Sequence, residues 1–195
     1  RSQATAWDLP GVSGSPCSHL RGCLSWYNGP VWRDDQRPSY NILPTAPRAT
    51  RLGGLDVEVF VENGLAGCDL ARQRETVTLV VDALRASAMV TSLFHYGTQR
   101  LLVVREVEEA FAEREGQTGV LLVGERGGPM VPGFDLGNSP LQQAPDCDIS
   151  NLIFSSSNCS RCCVGVAGLP AFLASTANAT AVPRPAVSYT HLTPP

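Results

Sequence analysis

Between about residues 52 and 182 the chain alternates short aliphatic or β-branched runs with stretches of helical period, and this alternation constrains the fold most. Residues 55–61 alternate apolar and acidic positions, as a strand with one buried face does. Residues 76–81 form a β-branched run bounded by charge, the pattern of a central strand. Residues 86–96 place Met89, Val90, Leu93 and Phe94 at helical spacing, with Gly97 as C-cap. A strand at 100–104, a charged amphipathic helix at 106–115 and strands at 119–123, 151–154 and 172–174 follow. Such alternation predicts βαβ units, and hence a three-layer α/β/α domain on a mainly parallel or mixed sheet.

The flanks read differently. Residues 1–51 hold all three tryptophans (Trp7, Trp26, Trp32) among prolines and glycines with no apolar period, and read as an irregular or disordered extension. The proline-rich residues 183–195 read as an unstructured, artefactual tail, leaving 52–182 as the domain. A net charge of −3 argues against nucleic acid or an anionic membrane surface as partner. No apolar run approaches the roughly 18–20 residues that span a bilayer. The first residues lack the order of a secretory leader, so a cytoplasmic protein is expected.

All 15 basic residues are arginine. Without lysine there is no Schiff base and no Walker lysine, so anions must be held by guanidinium groups, backbone N–H groups, hydroxyls or a metal. The seven cysteines are odd in number and irregularly spaced, and Cys159-x-x-Cys162 lacks the second ligand pair of a metal site; reduced, partly buried thiols are expected. Cys68 to Arg74 matches C-x5-R in letters but has no glycine to cradle a phosphate. Asp82-Ala-Leu lacks the second carboxylate of a D-x-D pair, and no G-x-S-x-G elbow exists.

In an open α/β sheet ligands gather at the carboxyl ends of the strands. Three predicted strand ends are rich in polar residues: Asp82, Arg85 and Ser87; then Glu125 and Arg126 among Gly124, Gly127 and Gly128, followed by Asp135, Asn138 and Ser139; then Ser155–Ser157, Asn158, Ser160 and Arg161. Singly each has an ordinary explanation: Asp82 as a helix cap, Glu125–Arg126 as a surface pair, the glycines as turns. Together they predict three carboxylates (Asp82, Glu125, Asp135) converging on a hard cation such as Mg²⁺, with arginines and helix N-termini for phosphate.

The blocks at 80–87 (VVDALRAS), 124–128 (GERGG), 133–140 (GFDLGNSP) and 156–158 (SSN) resemble, in order and spacing, the signatures of the 2-phosphosulfolactate phosphatase (ComB-like) family. The resemblance runs over about 52–182, ending in a block at 174–181, and the family's later third is absent, so the domain reads as truncated. Cys159 stands where the family has glycine, and Ser156, Ser157 and Ser160 where it has threonine. The resemblance implies Mg²⁺-dependent hydrolysis of 2-phospho-3-sulfolactate to 3-sulfolactate and phosphate, a step toward coenzyme M, and hints at a homodimer. In that setting Asp82, Glu125 and Asp135 hold Mg²⁺, and Arg85 and Arg126 clamp anionic oxygens. Ser87, Asn138, Ser139, Ser157 and Asn158 add hydrogen bonds. Attack comes from water or from a carboxylate. The alternatives are a non-catalytic binder of small polyanions and an inactive fragment of the phosphatase.

Overall fold

The computed structural model describes residues 5–8, 48–52, 55–140 and 147–182, with side chains from residue 57 onward. In chain order the elements are β1 (Thr5–Asp8), β2 (Arg48–Leu52), β3 (Leu55–Val59), α1 (Gly64–Arg74), β4 (Thr78–Val81), α2 (Ala86–His95), β5 (Arg100–Val103), α3 (Val107–Arg114), β6 (Val120–Gly124), β7 (Asn151–Ser155), α4 (Cys159–Gly165) and β8 (Ala171–Ala174). The main sheet runs β1-β5-β7-β6, with β5, β7 and β6 parallel and β1 an antiparallel edge. β4 and β8 form a parallel pair, and β2 and β3 an antiparallel pair.

Strand alternation divides the core in two. Leu101, Val103, Leu152, Phe154 and Val123 face Met89, Val90 and Leu93 of α2 and Cys159, Cys163 and Val164 of α4. Leu102, Leu122 and Ile153 face Ala110 of α3, with Val104, Val131 and Phe134. Successive strand residues point to opposite faces, so aliphatic strands of this kind must be covered on both sides. The result is the expected open three-layer α/β fold, with no closed barrel. At the start of α3, Glu106 and Glu109 form a reciprocal capping box, satisfying amides the helix leaves free.

Two strands differ from expectation. Residues 76–81 read as a central strand, yet among the described residues β4 pairs only with β8. Leu79 and Val81 are exposed, while Val80 packs on the core. A β-branched run signals a strand but does not say how many partners it has. The strand predicted at 55–61 ends at Val59, and on its apolar face Val57 is partly buried while Val59 and Val61 are exposed. Helix α1 was not foreseen. Its buried stripe is only Cys68 and Ala71, which make a weak apolar period. It packs on α4 at Gly165, where an added Cβ would sit 3.0 Å from the Cys68 sulfur. Within the region read as irregular, residues 5–8 and 48–51 are strands; its remainder and the tail at 183–195 lie outside the described residues.

Candidate active site

β4 delivers the first loop. Beyond Val81, the Asp82 amide donates to Ser87 Oγ at 3.0 Å, and the Ala86 amide donates back to the Asp82 carboxylate. This exchange fixes the turn ahead of α2, whose N-cap is Arg85, three residues after Asp82. Ser87 is fully buried and spent on that contact. Arg85, exposed, donates from Nη2 to the Gly128 carbonyl at 2.8 Å, and that bond joins the β4 loop to the loop after β6. Burial pushes the Asp82 carboxyl above the ordinary aspartate range; the Ala86 amide opposes this, nearby Glu125 adds to it, and Arg85 opposes it.

Glu125 organises the second loop and is buried. Its Oε1 accepts the Ser157 amide at 2.8 Å, and its Oε2 accepts the Gly128 amide at 2.7 Å and the Ser157 hydroxyl at 3.0 Å. Ser157 Oγ in turn accepts the Gly127 amide at 2.9 Å. One carboxylate therefore ties the loop after β6 to the loop after β7, and through Gly128 supports Arg85. Gly124 makes this approach possible: its φ is +147°, and a Cβ there would lie 1.7 Å from the Ser155 carbonyl oxygen. Arg126 is spent on protein acceptors, donating from Nη1 to its neighbour's carbonyl at 3.0 Å and from Nη2 to Arg105 O at 2.8 Å and Ser155 Oγ at 2.9 Å. Behind this edge, buried Ser156 and Ser160 bond each other at the start of α4.

Asp82, Arg85, Glu125 and Ser157 are thus brought together. Asp135 is not. Its Oδ2 accepts the Leu122 amide at 2.7 Å and Arg114 Nη1 at 3.0 Å, three residues before Glu125 along the strand. At about 3.3 Å per residue that is roughly 10 Å away, so the expected three-carboxylate centre does not form. Asp135 instead caps the free edge of β6. Among the described residues no group of three His, Cys, Asp or Glu is placed to hold a metal. A magnesium ion commonly takes only one or two protein carboxylates and completes its shell with water and substrate phosphate. The donor set fits that lesser role through Asp82, with Glu125 behind it.

The segment 134–136 runs beside β6, with Gly124 N–H bonded to Leu136 O at 3.0 Å, and so brings Asn138 and Ser139 to the strand's carboxyl end. Asn138 is buried with its Oδ1 unpartnered. Asn158 is exposed at the N-cap of α4 and makes no side-chain cap bond. Cys159, in place of the family's glycine, turns its side chain into the core toward Cys163, 3.9 Å between sulfurs. Sequence reasoning passed over Arg105 and Glu106 and gave Arg161 no role. Glu106 accepts Arg161 Nη2 at 3.1 Å on both oxygens and lies 3.9 Å from Arg126. The available signal was that both follow directly on strands or helix starts at the same sheet edge.

Parallel strands whose carboxyl ends carry joined arginine, glycine and carboxylate loops define an open α/β domain with its polar loops gathered at one sheet edge. The chain belongs to the 2-phosphosulpholactate phosphatase family, whose sequence model matches residues 68–191. It is similar to curated proteins named "Probable 2-phosphosulfolactate phosphatase". The one from Deinococcus radiodurans is 52% identical over 66 residues, 34% of this chain and 28% of the relative. That from Carboxydothermus hydrogenoformans is 41% identical over 73 residues, 37% and 31% of the two chains. That from Caldanaerobacter subterraneus subsp. tengcongensis is 35% identical over 91 residues, 45% and 38%. The matched stretches thus span about a third of the length of these relatives.

Proposed function

We propose that this domain hydrolyses the phosphate ester of a small polyanion, 2-phospho-3-sulfolactate, releasing 3-sulfolactate and phosphate. The observation that carries this reading is the 2.8 Å bond from Arg85 to Gly128. It holds a guanidinium with most of its donors free beside Asp82, at the carboxyl edge where the two loops meet. Arg85 receives phosphoryl oxygens, for which a planar multi-donor group is suited. Glu125 and Ser157 fix the loops and take no part in bond making. Asp82 is the carboxylate left for chemistry, with a single backbone bond to it and a raised affinity for protons. It acts either as base toward water or as nucleophile on phosphorus.

Mg²⁺ would be held by Asp82 and the substrate's phosphate, and would supply neutralisation of the charge that develops on the phosphoryl oxygens. The setting we infer is cytoplasmic, on a route to coenzyme M, with the protein a homodimer; no helix among the described residues is long and apolar enough to cross a membrane. A second reading, a non-catalytic polyanion binder, is favoured by one observation: Asp135 is committed to Arg114 and leaves one carboxylate fewer for a metal.

Phosphate release from 2-phosphosulfolactate, measured with Mg²⁺ and with EDTA, tests the proposal. It should be run on this chain and on a version extended to the length of its relatives. Metal-dependent release abolished by Arg85→Ala is the expected result. A folded extended protein that binds the ester but releases no phosphate would establish the binder instead.

A further inference from the structure

Three arginines stand at the carboxyl ends of β5, β6 and β7 or just past them, Arg105, Arg126 and Arg161, and among the described residues Glu106 is the one carboxylate ion-paired to any of them. Arg126 is consumed by backbone and hydroxyl acceptors. Arg161 gives Nη2 to Glu106 and keeps Nε, shut off from water, without an acceptor. Arg105 goes further. It is half-buried, its Nε is enclosed and unpartnered, and among the described residues its guanidinium meets no carboxylate or carbonyl. An enclosed N–H left without an acceptor is unfavourable, and the two Nη groups beside it remain open to an external anion. Its backbone carbonyl accepts Arg126 Nη2, so the chain just past β5, which carries Arg105, is tied to the loop that carries Glu125.

We propose that Arg105 and Arg161 form a second anion subsite, which receives the acidic group of the substrate that is not transferred, a sulfonate or a carboxylate. Glu106 is the resting counter-charge of Arg161 and leaves part of its guanidinium free for the ligand. The division is then between Arg85, which meets phosphate, and Arg105 with Arg161, which sense whether the ester carries a further acid. This inference rests on the polyanion reading above, and adds that selection among phosphate esters is made at a site separate from the phosphoryl group.

The test is equilibrium binding of 3-sulfolactate, which has no phosphate, and of inorganic phosphate to the full chain by calorimetry. Losing a charge-assisted hydrogen bond predicts roughly tenfold or greater weakening of sulfolactate binding in Arg105→Gln and in Arg161→Gln. Phosphate affinity is expected to be untouched by both and to fall in Arg85→Ala. Because the Arg105 guanidinium has no partner among the described residues, Arg105→Leu should melt at or above the wild-type temperature while losing sulfolactate. Competition by 2-hydroxyethanesulfonate assigns the subsite to sulfonate, and competition by lactate to carboxylate; displacement by neither overturns it. Sulfolactate binding that survives both glutamine variants, or is absent in the wild type at millimolar ligand, also overturns it. A version extended to the length of its relatives that binds sulfolactate through these arginines yet releases no phosphate would refute the phosphatase reading and leave the subsite standing.

Discussion

Gly124→Ala isolates the point on which the site's geometry hangs. The glycine ends β6 with φ at +147°, and a Cβ would stand 1.7 Å from the Ser155 carbonyl oxygen, 2.8 Å from its carbon and 3.2 Å from its nitrogen. All three are backbone atoms of β7, so no side chain can swing away. Restoring a normal contact means parting β6 from β7 by about 1.5 Å, given the roughly 3.3 Å separation non-bonded atoms require. That displacement breaks the Glu125 N–H to Ser155 O bond of 3.1 Å and pulls Glu125 from Ser157. Loss of one backbone hydrogen bond costs about 1 kcal/mol, and a left-handed conformation with a side chain about 1–2 kcal/mol. Weakening of the buried Glu125 bonds brings the total to roughly 3–4 kcal/mol. For a chain of this size each kcal/mol lowers Tm by about 2–4 °C, so a fall of roughly 6–16 °C in thermal unfolding followed by circular dichroism is expected. Gly119→Ala is the control, because Gly119 has φ of +73° and nothing within 4 Å of a new Cβ. It should show only the conformational cost, about 1–2 kcal/mol. If both variants melt together, close approach at Gly124 is not what joins the two loops.

Other outcomes follow from the same contacts. The Asp82 carboxyl holds its proton more firmly in the fold than in the unfolded chain, so its effect on stability worsens as pH rises from the unfolded value through the folded one. Asp82→Asn keeps an acceptor for the Ala86 amide and should melt no lower than wild type at pH 7, with turnover down about 100-fold or more. The acid limb of kcat/KM in the wild type should lie above the usual aspartate range. Asp135→Asn should lower stability by less than about 1 kcal/mol, as half-exposed pairs do, and leave any metal dependence in place. Glu125→Gln, which loses one acceptor for three donors, should cost about 2–3 kcal/mol and raise KM for the ester more than it lowers kcat. Alkylation at pH 8 mapped by mass spectrometry should reach Cys147 well before Cys68, Cys159, Cys162 and Cys163. Cys147 alone of these is exposed, and burial pushes the Cys162 thiol up to about 12.

How far the sequence speaks depends on which interactions set each feature. The β5, α3, β6 and β7 elements were legible because their period and their burial agree: Leu101, Val103, Leu152 and Phe154 alternate with Leu102, Leu122 and Ile153 on two covered faces. The role of β4 was not legible, since Val80 inside and Val81 outside depend on which strands lie alongside. Helix α1 buries mostly small residues, and the reason it packs is a glycine on another helix, Gly165. No local pattern announces such a contact.

The same distinction separates the site residues. That Asp82, Arg85 and Glu125 share one edge could be read because strand ends of an α/β fold come together, a property of topology that alternation reveals. Asp135 was misplaced because its position in a glycine-rich block says nothing of depth along β6. Only the bond to the Leu122 amide shows that the segment runs alongside that strand and is level with its middle. The functional weight of a carboxylate here is set by what already occupies its oxygens. Glu125 has three donors and Asp135 two, while Asp82 has one. By that criterion Asp82 is the carboxylate with the least committed oxygens, and Glu125 and Asp135 are the ones that hold the loops and the strand edge around it.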